Sequence, residues 1–453
     1  MSEPSNESKG TSLEIVHPNA AGIDIGNAAH YVAVPPDRDR QAVRRFECFT
    51  EDLKKMADWL IQCGIDTVAM QSTGVYWLPA YEILTERGLR VFLVNAAHTK
   101  NLPGRKSDVQ ECQWLMKLHT YGLLSNSFRP TEEICVLRTY WRQRDAQVKA
   151  ASMTIQRMQK VLTEMNVQIA NVISDISGVT GMAILDAILQ GERDRYKLAE
   201  LAHPRIQASK EEMAKSLEGN WRPELVFVLR QERDIYREYQ KKIGECDEAI
   251  QAHLKTMEDK AEPGSKPGTP KAGKRAGGNA PRFDLRGELY RISGIDLTRI
   301  DGINIMVAQT ILAEVGLDMS KWPTEAHFAS WLGLCPNNQI TGGKVYHRGS
   351  RHVENRAATA FRMAATSLWR SKTYLGAKFK RLRAQLGAPK AITAMAHNLA
   401  RLVYRMLRYG KEYVDKGMEF YQQRYQQQQI RWIEKKAKDL GLVFTLTPES
   451  DVS

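Results

Sequence analysis

The first third of the chain is built from short apolar runs broken by polar punctuation. Residues 21–26, 30–35, 43–49, 66–70 and 90–95 carry the β-branched and apolar character of strands and are bounded by turn-forming residues. Residues 51–63, 76–87 and 108–122 repeat apolar positions at three-and-four spacing and predict helices. Three strands in succession, then strands separated by helices, predict an α/β domain with a mixed sheet over 21–130, preceded by a disordered tail, 1–20.

From 131 to 260 the period becomes helical. Val148, Ala151, Ile155, Met158, Leu162, Met165, Ile169 and Val172 follow one another at spacings of three and four, which predicts a heptad seam. A rougher seam runs through Leu229, Tyr236, Tyr239, Ile243, Cys246 and Ile250. Two such seams make either an antiparallel hairpin within one chain or an oligomerisation coiled coil. Residues 261–283, rich in Pro, Gly and Lys, read as a flexible basic linker. A second globular domain, mainly α, is expected over 284–418, and a polar Gln-rich helix and tail over 419–453.

Composition narrows the class. Of the 453 residues, 43% are hydrophobic, as in an ordinary globular protein. No run of about 18 apolar residues exists, so no membrane span is expected. The N-terminus lacks the apolar core of a secretory signal. The six cysteines are scattered, which suits reduced thiols in a cytoplasmic protein rather than a disulfide framework or zinc site. Net charge is +13, and its distribution is lopsided: 342–410 holds 15 Lys or Arg against one acidic residue, Glu354. Such a segment is expected to meet a polyanion, nucleic acid first.

Against that basic background, one carboxylate sits inside an apolar strand: Asp24, in "AAGIDIGNAAHYVAVP". A buried unpaired charge is costly, so Asp24 needs a partner. "GRKSDVQECQWL" offers Asp108 and Glu111, three apart and on one helical face. A strand aspartate facing two helix carboxylates can hold Mg²⁺, which takes oxygen ligands. The plainer alternative is that Asp108 is an N-cap and Glu111 its capping-box partner.

In the second half, "LTRIDGINIMVAQTILAEVG" (297–316) reads as helix, tight turn at Gly302, helix. That is either a helix-hairpin-helix offering backbone N–H groups to phosphate or a plain αα-hairpin. Asn304 stands where a second glycine is common. "NNQITGGKVYHRGSR" surrounds Gly342-Gly343 with Lys344, His347, Arg348 and Arg351, and by itself reads as a turn. On the helix begun by Pro389, Arg401, Arg405 and Arg408 recur on one face without nearby acidic residues in sequence, which suggests a phosphate-tracking face.

The motifs "GIDIG", "STGVYW", "VNAAHTKNLPGRKSD" and "QWLMKLHTYGLL" resemble the N-terminal domain of the RuvC-like DEDD transposases of bacterial insertion sequences, group one-ten. These are bridge-RNA-guided recombinases. "FASWLGLCPNNQITGGKV" resembles their C-terminal transposase domain. The resemblance implies an RNase H-like first domain with four acidic residues around Mg²⁺. Asp24 matches the first acidic position and Asp108 the third; Gln71 stands where the second acid is expected, and Glu111 where the last aspartate is. Thr341 stands at the family's nucleophilic serine. The implied activity is breaking and rejoining DNA by transesterification through a covalent threonyl intermediate. DNA, a guide RNA and further copies of the chain, as dimer or tetramer, are the implied partners. Two rivals stand beside this reading: a metal-dependent junction-resolving nuclease using water, and a catalytically silent nucleic-acid-binding relative, which the departures at 71, 111 and 341 support. Glu82, one helix away, is a candidate substitute for the missing carboxylate.

Overall fold

The structure is a computed structural model and describes residues 13–72, 74–95, 107–269, 279–347, 349–351, 353–410 and 417–443. The chain divides into two compact units, Met1–Arg129 and Pro130–Ser453.

In the first unit, β1 (Ala20–Ile25), β2 (Ala29–Ala33) and β3 (Val43–Glu47) form an antiparallel meander. It is followed by α1 (Thr50–Gln62), β4 (Thr67–Gln71), α2 (Trp77–Glu86), β5 (Arg90–Val94) and α3 (Asp108–Thr120). The sheet order is β3-β2-β1-β4-β5, with β4 and β5 parallel to β1. All five expected strands and all three helices are present, with ends shifted by one or two residues. The mixed α/β sheet read from the sequence is therefore observed.

Alternation along β1 sets the layers. Ala21 and Ile23 point into a core with Val32, Val68, Met70, Leu53, Met56, Leu60 and Leu84, which seats α1 and α2. The opposite face carries small residues. Ala33 packs with Cys112 and Met116, and Ala69 with Leu115, all from α3. Gly22 lies on this face. A Cβ there would come within 2.3 Å of the Cys112 carbonyl oxygen and the Met116 nitrogen. Backbone therefore rests on backbone, and α3 lies directly against β1.

The second unit opens with two long helices, α4 (Glu132–Glu164) and α8 (Pro223–Thr256). Between them lie α5 (Val179–Gln190), α6 (Arg195–Glu200) and α7 (Lys210–Ser216). Helices α4 and α8 run antiparallel: Arg157 meets Glu232, Arg144 meets Asp247, and His253 bonds the Glu133 carbonyl. The seam is thus an intrachain hairpin in this structure. The helix ends before the seam does: Asn166 takes a left-handed φ of 58°, α4 stops at Glu164, and Met165 and Ile169 share one core with Met158 and Leu162 of the seam and with α5, α6 and α7. The Arg144–Asp247 pair is almost wholly buried, with Arg144 also over Trp141. A buried pair of this kind fixes register more than it adds stability.

Then follow α9 (Leu285–Ser293), α10 (Ile305–Val315), α11 (Glu325–Trp331), the hairpin β6 (Gln339–Thr341) and β7 (Lys344–His347), α12 (Arg356–Ser367), α13 (Tyr374–Leu386), α14 (Ala388–Tyr409) and α15 (Gly417–Asp439). This region is joined to α4. Arg142 forms a two-toothed pair with Glu314 at 2.8 and 2.7 Å, and Trp141 donates to Thr310. The start of the expected linker is pinned: Lys260 and Ala261 donate to the Arg291 carbonyl, and Arg286 to that of Gly268. Residues 270–278 of that stretch lie outside the described residues.

The 297–316 stretch differs from helix-turn-helix. Its first element is a single 3-10 turn, Leu297–Arg299. Asn304 is not left-handed; it caps α10 from extended backbone, accepting from Val307 N–H. A Cβ on Gly302 would meet the Ala364 carbonyl at 2.6 Å, so this turn packs on α12.

The α3–β1 contact generates a prediction. Gly22→Ala should destabilise the first unit by about 2 kcal/mol, because backbone on both sides cannot yield. Amide exchange of the 20–25 and 108–120 peptides should then quicken by roughly 30-fold. Unchanged protection would contradict the close approach.

Candidate functional site

Asp24 lies on the Gly22 face of β1, two residues on, and so faces α3. Ile23 pairs with Met70 in the parallel β1–β4 ladder, so Asp24 and Gln71 are the next residues at the carboxyl ends of adjacent strands. Across the meander Asp24 is opposite Tyr31. On α3, Asp108 and Glu111 occupy the first turn. Ser107, not Asp108, is the N-cap, its hydroxyl accepting from Gln110 N–H at 3.4 Å. That removes the capping explanation for Asp108.

The carboxylates sense one another. Half-burial first, then the negative charges of Glu111 and Asp108, together raise the Asp24 pKa to about 6, against a backbone hydrogen bond from Ile25 that lowers it. Gln71, almost fully buried, donates its amide N–H to Glu111 Oε1 at 2.6 Å. Where a fourth acid would add repulsion, glutamine supplies a donor. Cys112, one turn along α3, is buried, and its thiol is pushed up to about 12 by desolvation and by Asp24. Glu82, on α2, pairs with Arg129 at 4.0 Å, and the carboxylates whose charge raises Asp24 are Glu111 and Asp108.

In the second unit, Thr341 ends β6 and pairs with Lys344 across a two-residue loop. Gly342 and Gly343 both have positive φ, 56° and 75°, as such a tight hairpin demands. Thr341 and Lys344 are exposed at this tip. Arg351 donates to the Ser330 carbonyl at 3.0 Å, and Ser350 bridges to Pro336. Arg348 lies outside the described residues, as does the side chain of His347. The α14 arginines depart from expectation. Arg401 and Arg405 both clasp Glu325 of α11, with Arg401 Nε at 2.8 Å and Arg405 Nη2 at 2.7 Å. The counter-ion comes from 76 and 80 residues upstream, which is why it is invisible in local sequence. Arg408 is exposed; the Asp318 carboxyl is held below its usual range first by hydrogen bonds from Ser320, with the charges of Lys321 and Arg408 adding to them. Tyr404 is core: its hydroxyl donates to the Trp322 carbonyl at 2.8 Å.

A family model described as a transposase, the DEDD type of IS110, matches residues 21–167. A second, described as transposase of the IS116/IS110/IS902 family, matches residues 296–381. Together they span just over half of the 453 residues. The chain belongs to the IS110 family of transposases. It is therefore a DNA transposase, with DNA as its partner. No curated protein matches it in sequence. Among the described residues no helix is long and apolar enough to cross a membrane.

Transposases of the DEDD type typically depend on a divalent metal. The donors here fit such an ion in chemistry: three carboxylates, with a proton affinity at Asp24 already raised by its neighbours. They are not a closed cage. Among the described residues no three His, Cys, Asp or Glu side chains are grouped tightly enough to hold an ion. Two contributors escaped the sequence reading. Gly22 was a visible signal, a glycine two residues before a strand aspartate. Glu325 had none.

Asp24 makes the first unit sensitive to pH. Its folded pKa lies above the ordinary value of 3.8, so the folded state binds the proton more tightly. Its contribution to stability is complete below pH about 4 and is lost as pH rises through about 6. In chelator, Asp24→Asn should match the parent near pH 4 and exceed it above pH 7. The gain should be about 1 kcal/mol, since solvent screens a half-buried group. Urea melts at the two pH values check this; a variant less stable at neutral pH would refute it.

Proposed function

We propose that this transposase breaks and rejoins DNA by transesterification, with Thr341 as nucleophile and Asp24, Asp108 and Glu111, supported by Gln71, as a Mg²⁺ site in an RNase H-like domain. The observation that carries the reading is the shifted Asp24, at the carboxyl end of β1 beside β4 and within electrostatic reach of Glu111 and Asp108 in the first turn of α3. The β3-β2-β1-β4-β5 order agrees with an RNase H-like sheet.

Thr341 Oγ1 forms a bond to phosphorus while the bond to one sugar oxygen breaks, leaving a phosphothreonine ester and a free sugar hydroxyl. A strand's hydroxyl then attacks the ester and releases Thr341. A hydroxyl needs activation, and a pentavalent phosphorane needs positive charge around it. Lys344, opposite Thr341, supplies one cation. A divalent ion held by the carboxylates would supply charge at the same phosphate. Gln71 orients Glu111 by donating to its Oε1. Because Thr341 and the carboxylates belong to different compact units, the reading includes a homo-oligomer in which they work together. A guide RNA, implied by the family resemblance, is part of the proposal, and the basic 342–410 segment is the surface offered to nucleic acid.

A suicide DNA substrate, digestion and mass spectrometry test the nucleophile. Thr341→Ser should retain the adduct, since removing the methyl frees χ1. Thr341→Ala should lose it while DNA binding survives. An adduct on Ser350, or an undiminished adduct in Thr341→Ala, would overturn the assignment.

The α14 face has its own test. Arg401 and Arg405 must exchange Glu325 for phosphate, so Glu325→Gln should steepen the fall of log K with log salt by up to about 0.9 per phosphate gained. Alanine at Arg401, Arg405 and Arg408 together should flatten it. Slopes unchanged in both variants would move the DNA footprint off this helix.

A further inference from the structure

Once Arg401 and Arg405 are matched to Glu325, and Arg356 to Asp145, the remaining positive charge of 342–410 has a centre elsewhere. The short 3-10 turn Leu368–Arg370, α13 and the start of α14 enclose a groove of about 410 Å³. Its walls include Trp369, Arg370, Phe379, Arg383, Ala388 and Ile392, and no acidic residue lines it.

The groove has two features that ordinary packing does not require. Trp369 lines the groove yet is left 44% exposed. Arg383 lies over it, its guanidinium carbon 3.8 Å from the ring centre. Among the described residues neither Arg370 nor Arg383 has a carboxylate ion pair, and Glu354 is the one acid in the whole basic segment. A stacked guanidinium keeps its in-plane N–H donors for a phosphate. Exposed Lys372 lies between the turn and α13, Lys380 lies on α13 one turn from Arg383, and Lys390 lies at the start of α14.

We propose that this groove binds an unpaired nucleotide of a nucleic-acid strand, its base stacked against Trp369 and its phosphate held by Arg370 and Arg383. An aromatic platform with a cationic rim is the combination that recognises single strands, because every base has a π-face and every linkage a charge. Bases inside a duplex are already stacked on their neighbours, so the ligand is unpaired. The site uses none of the residues assigned to the cleavage chemistry and stands independently of the nucleophile.

Fluorescence anisotropy on the full-length protein tests it, with labelled oligothymidylate, oligouridylate and a blunt DNA duplex at fixed salt. Trp369→Ala should weaken single-strand binding about tenfold, the lower end of what stacking one base contributes. Trp369→Phe should stay within about threefold, and duplex binding should be unaffected. Arg383→Ala should weaken the single strand and flatten its salt dependence by about one phosphate, a slope change of roughly 0.7. Weakening on thymidylate alone assigns the groove to DNA, on uridylate alone to RNA, on both to either strand. Unchanged single-strand binding in Trp369→Ala and Arg383→Ala, or equal loss for duplex and single strands, would overturn the proposal. The phosphothreonine adduct is scored separately on a duplex suicide substrate, so a failure of catalysis and a failure of this site are read separately.

Discussion

The arrangement of the first unit depends on how closely α3 approaches β1. Helix and strand meet backbone to backbone at Gly22, and the small residues Ala33 and Ala69 keep that face of the sheet shallow. Helix α3 is anchored there by Cys112, Leu115, Met116 and His119, at helical spacing. Its first turn is then carried over the end of β1, and Asp108 and Glu111 come into electrostatic range of Asp24. A side chain of any size at 22 would separate the charges before it altered any of them. The acidic cluster is thus a consequence of packing: the sheet supplies one carboxylate, the helix two, and a glycine the distance between them.

Negative charge gathered without a counter-ion destabilises the unit that holds it. Gln71 and the raised Asp24 pKa both belong to the response. With glutamine in place of a fourth acid, one repulsive contact becomes a hydrogen bond to Glu111, and the cluster carries three acids. The second unit shows the opposite balance. Its long basic segment is only partly available, because Glu325 holds two arginines of α14 together, and the unmatched cations gather around Trp369 instead.

The sequence carried the first unit almost entirely, since strand runs of five or six residues and amphipathic helices leave strong local periods. It carried Asp24, Asp108 and Glu111 because a strand acid and an i, i+3 acidic pair are local patterns. It did not carry the end of the α4 seam: the heptad spacing continues to Val172, whereas at left-handed Asn166 the helix has ended and the chain turns into the core that α5, α6 and α7 share with the end of α4. Nor did it carry the Glu325 clasp or the packing of Gly302 on α12, which join residues about 60 to 80 positions apart. Local spacing predicts faces; what lies opposite a face is a long-range property. The two glycines of the β6–β7 loop were legible as a turn, and they form one, but the chemistry assigned to Thr341 came from family resemblance.

The central claim is that the carboxylates on β1 and α3 form one cation site. Calorimetric titration of the full-length protein with Mg²⁺ near pH 6 tests it most directly, because Asp24 is then half protonated and must release its proton to bind. The account predicts saturable binding with proton release that falls as pH rises above about 7, and loss of both in Asp24→Asn. Mg²⁺ binding of equal strength and equal proton release in the parent and in Asp24→Asn would contradict it.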